Sequence, residues 1–286
     1  QPNDRKRLIA DKSFTRSDFS LPSDAFVFCS FNNNYKILPE MFDAWMRILS
    51  SVNGSVLWLL ATNETAKLNL QREAQARGID PNRLVFSQRM ALPEHLARHR
   101  LADLFLDTLP YNAHTTASDA LWAGLPVLTL KGNAFAGRVA ASLLNAVGLP
   151  ELVTHSRAEY EALAIDLALN KQQLQAIRQR LQRNRLTTPL FDTALYTKHL
   201  EAAYEAMYQR AQAGLPLTDP SALKEYGETA FAVSLLGPIG IIGRVSDKAQ
   251  AGRDLALAKQ KAAETNQPQE VQIQTADATE PQILYV

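Results

Sequence analysis

Six short runs that are apolar almost throughout recur over the first 154 residues, and helix-like segments separate them. They are Ala25–Phe31, Ser55–Ala61, Leu84–Ser87, Ala102–Asp107, Leu125–Leu130 and Glu151–Thr154. A strand that is apolar on both faces must be covered on both faces, which is the situation of a parallel sheet between two helical layers. The segments between the runs supply those layers. Pro39 suits a first helical turn, with Phe42, Trp45, Met46 and Leu49 at helical spacing before Asn53-Gly54. Thr65–Arg77 ends at Gly78, Pro93–Arg100 is short, Phe135–Val147 stops at Gly148, and Ser156 with Glu159 opens a further helix through Leu169. The fold class expected is therefore α/β, a Rossmann-like parallel sheet with helices on both faces. With the usual order 3-2-1-4-5-6, strands one and four are neighbours whose connections leave on opposite faces, so a crevice opens at their carboxyl ends.

Two loops remote in sequence converge on that crevice. The loop after strand one carries Asn33 and Lys36, and the loop after strand four leads into His114-Thr115-Thr116 at a helix start. The first N–H groups of a helix lack intrahelical partners and carry partial positive charge, so a phosphate fits there. Thr116 and Asp119 also read as a capping box that would satisfy the same groups without a ligand. The helix start alone leaves both readings open; its convergence with the Lys36 ammonium favours a diphosphate.

Several classes are excluded. No G-x-G-x-x-G follows the first strand, where Asn32-Asn33-Asn34-Tyr35-Lys36 stands instead, so a nicotinamide or flavin dinucleotide is not expected. No phosphate-loop motif and no Asp-x-Asp pair occur, and a nucleotide here is expected to be held without a metal or other cofactor. A net charge of +1 gives no footprint for nucleic acid. The single cysteine, Cys29, excludes a disulfide framework and reads as a buried thiol in a reducing, cytoplasmic setting. The longest apolar stretch, Phe231–Gly243, is broken by Gly237-Pro238 and too short to span a membrane. The chain begins at Gln1, as a processed or excised piece of a longer protein would. Its organisation reads as a linker or domain start over 1–24, the nucleotide-binding domain with its C-terminal helices over 25–213, and a tail over 214–286 whose polar end, 265–286, is expected to be without fixed structure. The charge of 171–186 reads as a solvated helix face, and His99, His155 and His199 as ordinary surface residues.

Four strings in this order and spacing carry a family resemblance: F-N-N-N-Y-K-I-L-P at 31–39, S-V-L-W-L-L at 55–60, H-T-T-A-S-D-A-L-W-A-G-L-P-V at 114–127 and R-V-A-A-S at 138–142, with P-L-F-D at 189–192 beside them. From about Arg16 to Gln212 the chain resembles the C-terminal, donor-binding half of the catalytic domain of protein O-GlcNAc transferases and the related Spindly-type transferases. The resemblance implies an inverting, metal-independent GT-B glycosyltransferase that moves GlcNAc from UDP-GlcNAc to Ser or Thr of an acceptor protein. It implies that Lys36 stabilises the leaving UDP, that Asn33 helps at the diphosphate, and that His114, Thr115 and Thr116 bond phosphate and sugar. By the same resemblance Asp119 accepts from the ribose hydroxyls, His95 stacks on the uracil with Arg98 nearby, and the backbone at Arg89 and Met90 reads the base edge. Animal members carry a lysine where Leu92 stands. An N-terminal catalytic half and helical repeats are implied as partners. Other readings are GDP-fucose or another nucleotide sugar as donor, a non-catalytic nucleotide-binding module, and an epimerase, for which Asp119 is the acid available in the crevice.

Overall fold

The structure is a computed structural model that describes residues 3–60 and 63–214, with the backbone of two further strands at 270–273 and 282–285. The chain divides into two compact units, Gln1–His199 and Leu200–Val286. The first unit contains the strands β1 (Val27–Ser30), β2 (Val56–Leu60), β3 (Leu84–Ser87), β4 (Leu104–Leu106), β5 (Val127–Leu130) and β6 (Val153–Thr154). Between and after them come α1 (Pro39–Ser51), α2 (Glu64–Ala76), α3 (Leu92–Arg98), α4 (Thr115–Trp122), α5 (Val139–Ala146), α6 (Arg157–Leu169) and α7 (Lys171–Thr187). The sheet order is β3-β2-β1-β4-β5-β6 and every pair is parallel, as the alternation of apolar runs and helices predicts. All residues of β1, β2, β4 and β5 are buried, so the absence of a polar alternation in those runs reflects helices on both faces.

The predicted stripe of α1 forms: Phe42, Trp45, Met46 and Leu49 are all buried. The indole Nε1 of Trp45 donates to the Tyr160 hydroxyl of α6 at 3.1 Å, and that hydroxyl donates to the backbone oxygen of Asp107 at 3.0 Å. A helix on the sheet is thereby tied to the end of β4, where the crevice opens. The segment 135–147 departs from the single helix expected. A 3-10 turn at Phe135–Gly137 precedes α5, because the backbone is drawn against the loop that follows β4. Asn112 N–H donates to Ala136 O at 2.8 Å, Gly132 N–H donates to Gly137 O at 2.7 Å, and a Cβ on Gly137 would lie 2.9 Å from Pro110 O. Only glycine fits that approach.

Residues 3–24 pack as part of the first unit rather than as a linker. The side chain of Arg7 pairs with Asp119, Trp122 Nε1 donates to Arg7 O at 2.9 Å, Arg16 pairs with Asp103 at 2.9 Å, and the rings of Phe19 and Trp58 lie 5.1 Å apart. The charge of α7 is only partly a solvated face. Arg178 donates to Ala102 O at 2.7 Å and Arg185 to Trp122 O at 2.6 Å, so two of its guanidinium groups anchor the helix to the ends of other elements. His99 also departs from expectation, being buried between α3 and β4 against the rings of Phe31 and His95. Burial drives its pKa well below the ordinary value.

Helix α8 (Thr193–Gln212) begins in the first unit and continues into the second. Within 265–286, where no fixed structure is expected, β7 (Glu270–Ile273) and β8 (Gln282–Tyr285) form an antiparallel pair. The remainder of 215–286 lies outside the described residues. Among the described residues no helix is long and apolar enough to cross a membrane.

Candidate functional site

A cavity of about 380 Å³ opens where β1 and β4 end and the chain leaves them on opposite faces. Nine of the ten site residues predicted from sequence line it: Asn33, Lys36, Arg89, Met90, His95, Arg98, His114, Thr115 and Thr116. They arrive from three places: the loop after β1, the loop and helix α3 after β3, and the start of α4. Phe31, Asn32, Tyr35, Leu60 and Tyr111 complete the lining.

On one side Lys36 closes a 3-10 turn, Asn34–Lys36. Its Nζ donates to Asn112 O at 2.9 Å and lies 3.9 Å from the centre of the Tyr111 ring. Burial lowers its pKa from the ordinary lysine value, and the Asp107 carboxylate partly offsets that fall. Asn33 Oδ1 accepts from Arg89 Nη2 at 2.8 Å, which joins the loops after β1 and β3 across the cavity mouth.

Beside Lys36 stands the start of α4, since the Tyr111 ring under the ammonium stacks on His114. His114 is its N-cap residue, and the His114 side chain makes no capping hydrogen bond. The capping box offered by Thr116 and Asp119 does not form. Thr116 Oγ1 donates to Asn32 Oδ1 at 2.7 Å, and Asp119 turns away to pair with Arg7. Asp119 is thus the one predicted site residue that the cavity excludes: it is 5% exposed and held by a guanidinium from the N-terminal segment. The expected ribose contact is not prepared in this arrangement, and the acid required by an epimerase is absent from the lining.

The far wall is flat. His95 Nδ1 accepts from Arg98 Nε at 3.0 Å, which leaves the ring proton on Nε2 in the neutral imidazole. Burial, then the nearby charges of Arg98 and Arg7, lower the His95 pKa to about 4, so the ring is neutral near pH 7. Arg98 is fully buried, its Nη1 donating to Gln88 O at 2.9 Å and its guanidinium lying 4.5 Å from the Phe31 ring. Its Nη2 has no hydrogen-bond partner among the described residues. A buried donor of this kind beside a neutral planar ring fits a planar heterocycle with a carbonyl oxygen.

Behind the cavity lies a network that residue-by-residue reading of the loops does not reveal. Asp107 Oδ1 accepts from Thr108 N–H at 2.8 Å and Ala113 N–H at 2.6 Å, and its Oδ2 accepts from Thr129 Oγ1 at 2.6 Å. This closes the loop 108–113, which presents Tyr111 and the Asn112 carbonyl to Lys36. Burial pushes the Asp107 carboxyl up to about 7, against the lowering effect of those three donors and of Lys36. Asn32 extends the network, its Nδ2 donating to Thr108 Oγ1 at 3.0 Å. The signal available in the sequence was an acid at the end of an otherwise apolar run, Leu104-Phe105-Leu106-Asp107.

A cation, a helix start, an amide and hydroxyl groups on one side can hold an anion of two phosphates, and the flat wall can hold an aromatic base. Among the described residues no group of three or more His, Cys, Asp or Glu could hold a metal ion. A second cavity, about 410 Å³, lies beyond Pro110 and is lined by Lys131, His155 and Arg157 among others; it contains none of the predicted site residues.

The family described as glycosyl transferase family 41 matches residues 8–200. A probable UDP-N-acetylglucosamine–peptide N-acetylglucosaminyltransferase (SEC) of Arabidopsis thaliana is 44% identical over 194 residues, which are 68% of this chain and 20% of that protein. The UDP-N-acetylglucosamine–peptide N-acetylglucosaminyltransferase of Caenorhabditis elegans is 40% identical over 203 residues, 71% of this chain and 18% of that protein. Among solved structures, a mutant of the Thermobaculum terrenum O-GlcNAc transferase superposes with a TM-score of 0.63 at 35% identity, over 66% of this chain and 39% of that one. The chain spans about a fifth of the length of the curated relatives it matches.

Proposed function

Since the chain belongs to glycosyl transferase family 41 and its first unit has the Rossmann-like fold of a GT-B half, we propose that this unit is the donor site of an enzyme transferring GlcNAc from UDP-GlcNAc to Ser or Thr of proteins. The observation that carries the proposal is that Lys36 and the start of α4 lie side by side in the lining of one cavity. When the glycosidic bond to the donor breaks, negative charge builds on the departing diphosphate. A fixed ammonium and helix N-terminal N–H groups stabilise that charge more than they stabilise the intact donor, which is what lowers a barrier. His114, Thr115, Thr116 and Asn33 supply further polar contacts to the phosphates and sugar. The base lies against His95, with Arg98 Nη2 donating to a ring carbonyl and the backbone at Arg89 and Met90 along its edge.

The metal-free, inverting character of the transfer belongs to the same proposal: Lys36 and the helix start take the part a divalent cation plays where paired acids line a diphosphate site. The acceptor protein, and a second catalytic half that contributes the groups acting on the acceptor hydroxyl, complete the enzyme. Titration of the 286-residue chain with UDP in EDTA, repeated with GDP and with Lys36→Ala, tests the reading. Micromolar UDP binding without metal, weak GDP binding and loss of affinity in the variant support it. Preference for GDP points to a different nucleotide sugar, and unchanged UDP affinity in Lys36→Ala removes Lys36 from the site.

A further inference from the structure

Lysine is a compact charge on a flexible stem, and its position must be fixed before it can act on a developing charge at a particular atom. The common way to fix it, a carboxylate in contact, would also cancel its charge. Among the described residues Lys36 has no such contact. The ammonium instead rests on the Asn112 carbonyl at 2.9 Å and over the Tyr111 ring, 3.9 Å from its centre, well inside the range of a cation–π contact. Asp107 acts on it only through space.

The Tyr111 ring is itself held. It stacks on the His114 imidazole with centres 4.8 Å apart and planes 25° apart, and its backbone oxygen accepts from Thr108 Oγ1 at 2.7 Å. Its phenol hydroxyl has no hydrogen-bond partner among the described residues, and the residue remains 43% exposed beside the cavity. The ring face, rather than the hydroxyl, is what the arrangement uses. It also links the two anion-binding features, since one neighbour of the ring is Lys36 and the other is the N-cap of α4.

We propose that Tyr111 is a positioning residue: its ring seats the Lys36 ammonium beside the start of α4 without neutralising it, so that both face the same diphosphate. The role rests on the cavity being the donor site. It predicts that ring electrons matter while the hydroxyl does not. UDP affinity of the full chain is measured with Tyr111→Phe and with mono- and trifluorinated phenylalanine at position 111, which keep the ring's shape and drain its face of negative charge. Phe should match Tyr within about twofold, and affinity should fall stepwise with fluorination to about tenfold, the size of a partly desolvated cation–π contact.

In the unliganded protein, NMR of the Lys36 ε-protons should show an upfield ring-current displacement with Tyr or Phe that Tyr111→Leu abolishes. Equal affinity across the fluorinated series, or undisplaced ε-protons in the unliganded protein, overturns the proposal. Displaced ε-protons with no UDP binding by any form would uphold the seating of Lys36 and refute the donor site.

Discussion

The substitution Asp107→Asn separates what the Asp107 carboxyl does by shape from what it does by charge. Burial raises its pKa from the ordinary 3.8 up to about 7. Between those values the unfolded chain has lost the proton and the folded chain keeps it, so the folded state binds more protons and stability falls as pH rises. The contribution is complete below about pH 4 and lost by the time pH passes about 7. Roughly three pH units at about 1.4 kcal/mol each give an effect on the order of 4 kcal/mol, of which about 2 kcal/mol falls between pH 5 and pH 7. Asparagine can accept from Thr108 N–H and Ala113 N–H through its oxygen and donate to Thr129 Oγ1, keeping the loop closed without a titrating proton. Urea unfolding followed by fluorescence of the buried Trp45 and Trp58 should therefore show the wild type losing about 2 kcal/mol relative to the variant from pH 5 to pH 7. Other carboxyl groups titrate equally in both proteins and cancel in the difference. Parallel pH curves would refute the reasoning, because the three donors and Lys36 would then have kept the carboxyl ionised throughout. The variant should also bind UDP less well on the alkaline side, since Lys36 loses the charge that supports its own protonation.

Three further outcomes follow from the packing around the site. Gly137→Ala places a Cβ 2.9 Å from Pro110 O and 3.1 Å from Leu109 Cδ1, and should cost about 1–3 kcal/mol in urea unfolding and weaken UDP binding through the displaced Asn112 carbonyl. Tyr160→Phe removes the hydroxyl that joins Trp45 to Asp107 O and leaves both without that partner; a loss of about 1–3 kcal/mol is expected, measured the same way. Cys29 is fully buried and burial raises its thiol pKa, so a disulfide reagent should leave the native protein unlabelled at pH 8 and label it once in urea.

The sheet was legible because a strand covered on both faces has little choice of residues. Val27–Ser30, Val56–Leu60 and Val127–Leu130 declare themselves without alternation, and their order follows from short right-handed connections. The positions of Lys36 and His114 were legible for the same reason, since each directly follows a strand end on the crevice. Less legible was everything set by partners far away in sequence. Asp119 has the spacing of a capping box with Thr116, and nothing near it reveals that Arg7, 112 residues earlier, takes its carboxylate. His99 has the polar neighbours of a surface residue and is buried because α3 runs directly into a 3-10 turn that packs its ring under Phe31. The break of 135–147 into a turn and a helix depends on Gly137 meeting Pro110, a contact between two loops. Tyr111 stands in the loop that sequence reading put at the centre of the site, yet its link to Lys36 appears only when the two loops are brought together.

Mapping where UDP binds on the isotopically labelled chain tests the central claim most directly. The account predicts amide and side-chain shift changes confined to Asn33 and Lys36, to Arg89 through Arg98, and to Tyr111 through Thr116, in the absence of metal. Changes centred instead on Lys131 and on His155 through Arg157 would place the ligand in the second cavity and contradict it.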